Sequence, residues 1–329
     1  MTEDRMTEDS RTAEDSRTVE DGSNGEDVPL ELLRTAHILV AGVGGIGNYV
    51  AKALLGSGFC QVDLIDMDIA DNSNLNRQIL FRQEDVGRPK AEVARERLGH
   101  AYPDALITAH HCRLQDKPLN FYSQFDCILS GLDNVESRRW LNSVIYRLYK
   151  NENINIPLID GGTDSLMGHC RVILPLTDTS ACFECTVNNF LDDPDAKVPL
   201  CSIAQKPRSN KHCVHFAALI QWPEEFPSNE LDLDNDDHLD WLNDNTLLLC
   251  QKYNFPPLTK SEQKDVLKRT VPAIASTNQL IGHLVVSKAI AILTGAIKTS
   301  YYHYNYDGSL YPCLTGLQLY RNPNCTICQ

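Results

Sequence analysis

The sequence predicts an α/β fold: a doubly wound, mostly parallel sheet into which a mainly helical segment is inserted. Three observations predict it. The apolar run His37-Ile38-Leu39-Val40-Ala41 leads directly into Gly42-Val43-Gly44-Gly45-Ile46-Gly47, and helical periodicity follows to Gly56. Strand-like and helix-like stretches then alternate through Leu158-Ile159-Asp160, the pattern of a parallel sheet covered on both faces. After residue 200 the alternation stops, prolines appear and an acidic run occupies Asp232–Asp240.

The elements follow in order. Residues 1–28 hold ten acidic and three basic side chains, net −7 of the chain's −14. The Glu-Asp pair recurs there at 3–4, 8–9, 14–15, 20–21 and 26–27. With almost nothing apolar to offset ordering entropy, this segment is expected to be a disordered acidic tail, either a solvated spacer or a docking tail for a partner. Val28-Pro29-Leu30-Glu31-Leu32-Leu33 reads as a short helical turn, and Val62-Asp63-Leu64-Ile65-Asp66 as the strand that completes a right-handed βαβ unit. Lys90–Leu98 is patterned as an amphipathic helix, Leu106–His110 and Asp126–Ser130 as strands, Ser137–Tyr149 as a helix and Arg171–Pro175 as a strand. The expected division is 29–200 and 271–329 for the nucleotide-type domain, with 201–270 as the helical insert. The return opens with a helix from Val271 through Ile281–Leu293 and adds aromatic strand material at Tyr301–Tyr306.

Composition narrows the function. At 329 residues, 42% hydrophobic and 22% charged, the chain can bury a real core. A net charge of −14 argues against a nucleic-acid face, which needs a basic surface. No run of about 18 apolar residues suggests a membrane span, and the start carries no apolar leader segment, so an intracellular site in cytoplasm, nucleus or both is expected. Twelve cysteines in such a chain point to metal or thiol chemistry.

The glycine turn lies where a strand ends and a helix begins, so its backbone can approach a phosphate closely and the helix N-terminus can receive it. Gly42, Gly44, Gly45 and Gly47 are the candidate cradle, and Asp66, 24 residues beyond Gly42 at the end of the second strand, is placed to bind a ribose hydroxyl. Taken alone this Rossmann-like motif also fits an NAD-dependent dehydrogenase, or a tight turn with no ligand. The residues that follow favour phosphate chemistry. Asn74, Arg77 and Gln78 within Ser73-Asn74-Leu75-Asn76-Arg77-Gln78, and Lys90 within Arg88-Pro89-Lys90, follow that strand. Arg and Lys there can neutralise the charge of a departing pyrophosphate. Asp133 and Asn134 end another strand on the same sheet edge, where Asp133 can hold a magnesium ion bridging phosphates. Surface salt bridges are the alternative for any one of these residues.

Cys182-Phe183-Glu184-Cys185 and Cys325-Thr326-Ile327-Cys328 have the spacing that a tetrahedral zinc ion accepts twice. Redox pairs or unrelated buried cysteines are the alternatives. If one zinc takes both pairs, its binding is folding free energy. Cys201 opens the insert after Val198-Pro199-Leu200. A cysteine at a helix N-terminus is a better nucleophile at neutral pH, so Cys201 is a candidate, against a capping or buried role, with Cys213 as its nearest rival.

Gly42–Gly47, Asp66-Met67-Asp68, Ser73–Gln78, Arg88-Pro89-Lys90 and Gly131-Leu132-Asp133-Asn134 together resemble the activating enzymes of ubiquitin-like proteins. That family includes the bacterial adenylating enzymes of thiamine and molybdopterin sulfur transfer. The resemblance runs from about residue 30 to Gln329. It implies that Gly42, Asp66, Asn74, Arg77, Gln78 and Lys90 contact ATP, that Asp133 binds magnesium, that the two cysteine pairs hold one structural zinc, and that Cys201 forms a thioester with the modifier.

Asp160-Gly161-Gly162-Thr163, Arg171-Val172-Ile173-Leu174-Pro175, Leu219–Pro223 and Val271–Asn278 resemble the neddylation branch of that family. There Arg171 is expected to read the modifier's tail, repelling a tail arginine and accepting a small residue. Activation of SUMO, of another ubiquitin-like protein or of a sulfur carrier is the alternative. The chain holds one adenylation fold where the family uses two, so a regulatory subunit with an inactive second copy is expected as a heterodimer partner, and a conjugating enzyme as the acceptor. A ubiquitin-fold domain, which the family's catalytic subunit carries after the second cysteine pair, is expected to be absent.

Overall fold

A computed structural model describes residues 30–187, 198–199, 207, 209–268, 270–271, 274–296 and 302–329. The acidic segment 1–28 and Cys201 lie outside the described residues. The chain begins with α1 (Leu30–Thr35), β1 (His37–Ala41), α2 (Gly45–Gly56), β2 (Gln61–Ile65), α3 (Lys90–Ala101) and β3 (Leu106–His110). It continues through α4 (Leu119–Tyr122), β4 (Cys127–Ser130), α5 (Val135–Glu152), β5 (Leu158–Asp164), β6 (Met167–Ile173) and a two-residue β7 (Val198–Pro199). Next come α6 (Asn210–Phe216), α7 (Trp222–Glu225), α8 (Asp236–Tyr253), α9 (Lys260–Lys268) and β8 (Thr270–Val271), then α10 (Ala275–Leu293), β9 (His303–Asp307) and β10 (Leu314–Leu317).

One 8-stranded sheet has the order β10-β9-β6-β5-β4-β1-β2-β3. Its β3-β2-β1-β4-β5 half is parallel, whereas β5, β6, β9 and β10 pair antiparallel with one another. The antiparallel part is larger than the alternating pattern suggests, because the strand expected at 171–175 starts at Met167 as the second arm of a hairpin with β5. The return helix likewise starts at Ala275 rather than Val271, since Thr270–Val271 pairs in parallel with Val198–Pro199.

The central parallel strands β1 and β4 form because their residues are largely apolar on both faces. β1 is buried from Ile38 to Ala41, and its alternate side chains enter two separate cores. Ile38 and Val40 face α2, α3 and α10, while Leu39 and Ala41 face α5 and the cysteine segments. Each such Leu, Ile or Val contributes about 1.5–3 kcal/mol on burial. Helix α10 packs along α2 and under the sheet, and Gly282 permits it, since a Cβ there would meet the Cβ of Tyr49 at 2.9 Å. Helices α6, α8 and α9 build a third core around Cys213, Leu242, Leu249 and Val266, so the described residues 209–268 are mainly helical. Among the described residues no helix is long and apolar enough to cross a membrane.

Candidate active site

The order of the sheet reverses between β1 and β4, and in such folds the crevice beyond the carboxyl ends of these two strands receives ligands. A cleft of about 660 Å³ lies there, lined on one side by the glycine loop and on the other by Gly131, Leu132, Asp133 and Asn134.

The loop is shaped by what glycine lacks. Gly42 has φ +87°, and a Cβ on it would stand 3.0 Å from the Gly131 carbonyl oxygen. A Cβ on Gly47 would collide with the Gly42 carbonyl at 1.9 Å, so α2 can start against the strand only with glycine at that place. Asn48, fully buried, ties the loop from below: its Nδ2 donates to the Val43 and Gly44 carbonyls at 2.7 and 3.0 Å, and its Oδ1 accepts from the Leu80 amide at 2.8 Å. Sequence reasoning passed over Asn48; a polar residue inside an apolar helix pattern was the available signal.

Asp66 closes the loop from the side. Its Oδ2 accepts from the Val43 amide at 2.6 Å and its Oδ1 from the Asp68 amide at 2.8 Å. Burial pushes its carboxyl above the ordinary carboxylate range, against the pull of Lys90. Lys90, the first residue of α3, is fully buried, with Nζ 3.3 Å from Asp68 Oδ2. On the opposite wall Asn134 caps α5 by accepting from the Ser137 amide at 2.8 Å, and its Nδ2 donates to Asp133 Oδ1 at 3.1 Å.

The structure brings Gly42, Gly44, Gly45, Asp66, Asp68, Gln78, Lys90, Asp133 and Asn134 into the lining of one cleft. Gly47, Asn74 and Arg77 are not part of that lining. Gly47 serves the packing of α2, while Asn74 is buried and accepts from the Asp71 amide at 3.2 Å, holding the turn that carries Gln78. Arg77 is buried, its Nη1 donating to Asn76 Oδ1 at 3.0 Å.

Residues of α5, β5, β6 and α10 complete the site; Arg171 is assigned a role from sequence, Asp160 and Asn278 lie in segments quoted only for the family resemblance, and Arg138 and His169 were passed over. Asn278, in the first turn of α10, accepts from Thr163 Oγ1 at 2.6 Å and stands over Gly45. Asp160 Oδ1 accepts from Ser130 Oγ at 2.7 Å and faces Arg138 Nε at 3.2 Å, while its Oδ2 faces His169 Nε2 at 3.6 Å. Burial acts to raise the Asp160 carboxyl, but Arg138, His169 and Ser130 outweigh it and hold the group below its ordinary value. Arg138 also donates to the Leu132 and Gly161 carbonyls at 2.7 and 3.1 Å, locking β5 to the β4–α5 turn. Arg171, on the same face of β6 as His169, is 3% exposed, donates to Thr186 Oγ1 at 2.6 Å and lies over the Phe183 ring. It is not on the cleft wall.

The cleft fits a nucleotide. The loop has no Cβ at Gly44 or Gly45, and two buried polar atoms on the wall, Gln78 Oε1 and Asn278 Nδ2, have no hydrogen-bond partner within the protein. Asp133 offers the carboxylate a hard divalent cation would need beside phosphates. A second site gathers the four cysteines: Cys182, Cys185, Cys325 and Cys328 place their sulfurs within 4.8 Å of one another. Cys182 Sγ is 3.6 Å from the sulfurs of Cys185 and Cys325, and Cys185 Sγ is 3.3 Å from that of Cys328. A tetrahedron with zinc–sulfur bonds of about 2.3 Å has edges near 3.8 Å, so the donor set and its spacing fit that ion.

This combination of a Rossmann-like sheet, glycine cradle, buried lysine and aspartate-lined cleft defines an adenylating protein. The ThiF family model matches residues 17–327. The chain is 38% identical over 307 residues to the NEDD8-activating enzyme E1 catalytic subunit of Caenorhabditis elegans, covering 91% of this chain and 70% of that protein. It is 39% identical over 301 residues to the subunit of that name from Arabidopsis thaliana, covering 88% and 65%. It thus spans about two thirds of the length of these relatives. The solved structure of E. coli MccB with ATP shares the fold, at a TM-score of 0.56 and 18% identity over 92% of this chain and 69% of that one. The chain belongs to the ThiF family and, within it, to the NEDD8-activating enzyme E1 catalytic subunits.

Proposed function

We propose that this chain activates a ubiquitin-like modifier of the neddylation type. ATP with magnesium binds in the cleft between the glycine loop and Asp133. A carboxylate oxygen of the modifier's terminal glycine attacks the α-phosphorus, the bond to the β-phosphate oxygen breaks, and pyrophosphate leaves. Cys201 then attacks the acyl carbon as thiolate, AMP leaves, and the thioester is handed to a conjugating enzyme. A regulatory subunit with a second, inactive adenylation fold completes the enzyme as a heterodimer.

The observation that carries this reading is the shared cleft. The glycine cradle, Asp66 tied to the Val43 amide, Lys90 against Asp68, and Asp133 all face one space. A hydride-transfer enzyme needs the cradle and Asp66 but has no task for a buried lysine at the phosphates. Here Lys90, which lines the cleft, supplies positive charge that a departing pyrophosphate requires, whereas Arg77 is buried away from that lining. A magnesium ion held by Asp133 would add charge neutralisation between phosphates. The chain's part is to position and neutralise. Four cysteines around one zinc would fasten the segment 325–328 onto 182–185, with no open position for catalysis. Arg171 stands two residues beyond the cleft residue His169 on one strand face, which supports a role in reading the modifier's tail.

The test is ATP–pyrophosphate exchange by the chain with its second subunit. Exchange that depends on the neddylation modifier supports the reading. Binding of NAD with no exchange under any small modifier overturns it.

A further inference from the structure

Where α2 begins, the cleft is bordered by Gly44, Gly45 and Ile46, none of which carries a polar side chain. The N-cap residue is Gly44, so no side chain caps the helix, and its first turn holds no acidic group. An anion seated there meets the leading amides of the helix and its positive end. A polar side chain reaches this place from a distant part of the chain. Asn278, in the first turn of α10, lines the cleft, is 2% exposed, and stands so close over Gly45 that a Cβ there would meet its Nδ2 at 2.6 Å.

The two ends of that amide are treated differently. Thr163 Oγ1 donates to Asn278 Oδ1 at 2.6 Å. This separation suits an O–H···O bond and is short for N–H···O, so the oxygen faces Thr163 and the nitrogen faces Gly45. Nδ2 has no hydrogen-bond partner within the protein. A buried donor left unpaired costs about 1–3 kcal/mol, and packing alone would be served by an apolar side chain of similar size at no such cost. A hydroxyl that fixes the amide with its donor toward the glycine loop therefore calls for an acceptor brought by a ligand. We propose that Asn278 Nδ2 is a substrate-binding donor, hydrogen-bonding a phosphate oxygen of ATP seated on the first turn of α2, with Thr163 as its positioning residue; this rests on the reading above.

The orientation of the amide decides the sign of its effect. Reversed, it would direct the lone pairs of Oδ1 at the phosphate and repel it. Serine in place of Thr163 keeps the hydroxyl that sets the orientation, whereas valine keeps only the shape. Aspartate in place of Asn278 keeps the shape and the acceptor for Thr163, but sets a carboxylate oxygen where the donor was.

The experiment is ATP–pyrophosphate exchange by the chain with its second subunit, varying ATP at saturating neddylation modifier and then the modifier at saturating ATP. N278A is expected to raise the KM for ATP about tenfold, the size of one lost hydrogen bond to a charged group, with the KM for modifier within about twofold of the unmutated enzyme. N278D has the shape of asparagine and serves where N278A fails to fold; it is expected to raise the KM for ATP more than N278A does, because like charges then face one another. T163V is expected to raise the KM for ATP by about threefold or more, and T163S to return it to within about twofold of the unmutated enzyme. An unchanged KM for ATP in N278A or N278D, or equal KM increases for ATP and modifier, overturns the inference. An unchanged KM for ATP in T163V, or a rise that T163S does not recover, overturns the part assigned to Thr163. Absence of exchange in the unmutated enzyme overturns the underlying reading instead, so the failures are told apart.

Discussion

A methyl group on Gly45 would lie 2.6 Å from Asn278 Nδ2, so the glycine loop and the first turn of α10 are fitted to a single clearance. Residues more than two hundred positions apart in the chain therefore shape one wall of the nucleotide cleft, and the loop's glycines differ in what they do.

Gly45→Ala is expected to displace only a side-chain amide, pushing Asn278 off Thr163. The KM for ATP should rise about tenfold, with thermal stability nearly unchanged. Gly47→Ala brings a methyl against backbone and is expected to lower the melting temperature sharply or abolish folding. Thermal melts and exchange kinetics of the two variants check the contrast.

Lys90→Ala removes the buried cation beside Asp68. Exchange is expected to fall by about 10²–10³-fold, chiefly in kcat, as when one preorganised charge-stabilising donor is lost. Equal kcat in mutant and unmutated enzyme would remove Lys90 from the phosphate chemistry.

Cys201→Ala separates the two chemical steps. Modifier-dependent ATP–pyrophosphate exchange should persist, while the reductant-sensitive adduct with the modifier disappears from a non-reducing gel. An adduct that survives in Cys201→Ala and vanishes in Cys213→Ala would move the nucleophile; Cys213 is fully buried in the insert's core, with its thiol pushed up by burial to about 12.

Removal of metal is expected to loosen the union of segments 182–185 and 325–328. Elemental analysis should find one zinc per chain, and Cys325→Ser should lose it and lower the melting temperature. A metal-free chain with an unchanged melt would show four thiols packed for apolar burial alone.

Acid should destabilise the fold through its buried histidines. His215 is buried in the insert's core, Nε2 within 3.3 Å of the Val266 carbonyl, and burial lowers it to about 4. The folded value lies below the unfolded one, so the unfolded chain binds the proton first. Its stability contribution is complete above about pH 6.5 and is lost as pH falls toward 4, up to roughly 3 kcal/mol. Urea unfolding of His215→Asn should show a shallower decline across that window.

Local rules made much of the fold and half the site readable. β1, the glycine turn, α2 and β2 follow one another within thirty residues, and each has its own signal: apolar on both faces, glycine, helical period, apolar again. Gly42, Asp66, Lys90 and Asp133 were legible because their places at strand and helix ends are set by this local grammar. Asn278, Asp160, Arg138 and His169 were not. Their roles depend on β5 and β6 forming a hairpin and on α10 returning against α2, pairings set by distant burial rather than by neighbours in sequence. The strand at 171–175 was misplaced for the same reason: the turn near Ser165, which has φ 53°, aligns the hairpin, and a residue with that backbone carries no apolar pattern.

Val198 and Pro199 run in the same direction as their partners Thr270 and Val271. A tight reversal cannot join two strands that point the same way; the chain must travel back along the pair, which takes a dozen residues or more. The span from 200 to 269 is therefore a bridge with a minimum length and no obvious maximum. Any folded segment placed in that span must begin and end about one short strand length apart if the Val198–Thr270 pairing is to be kept.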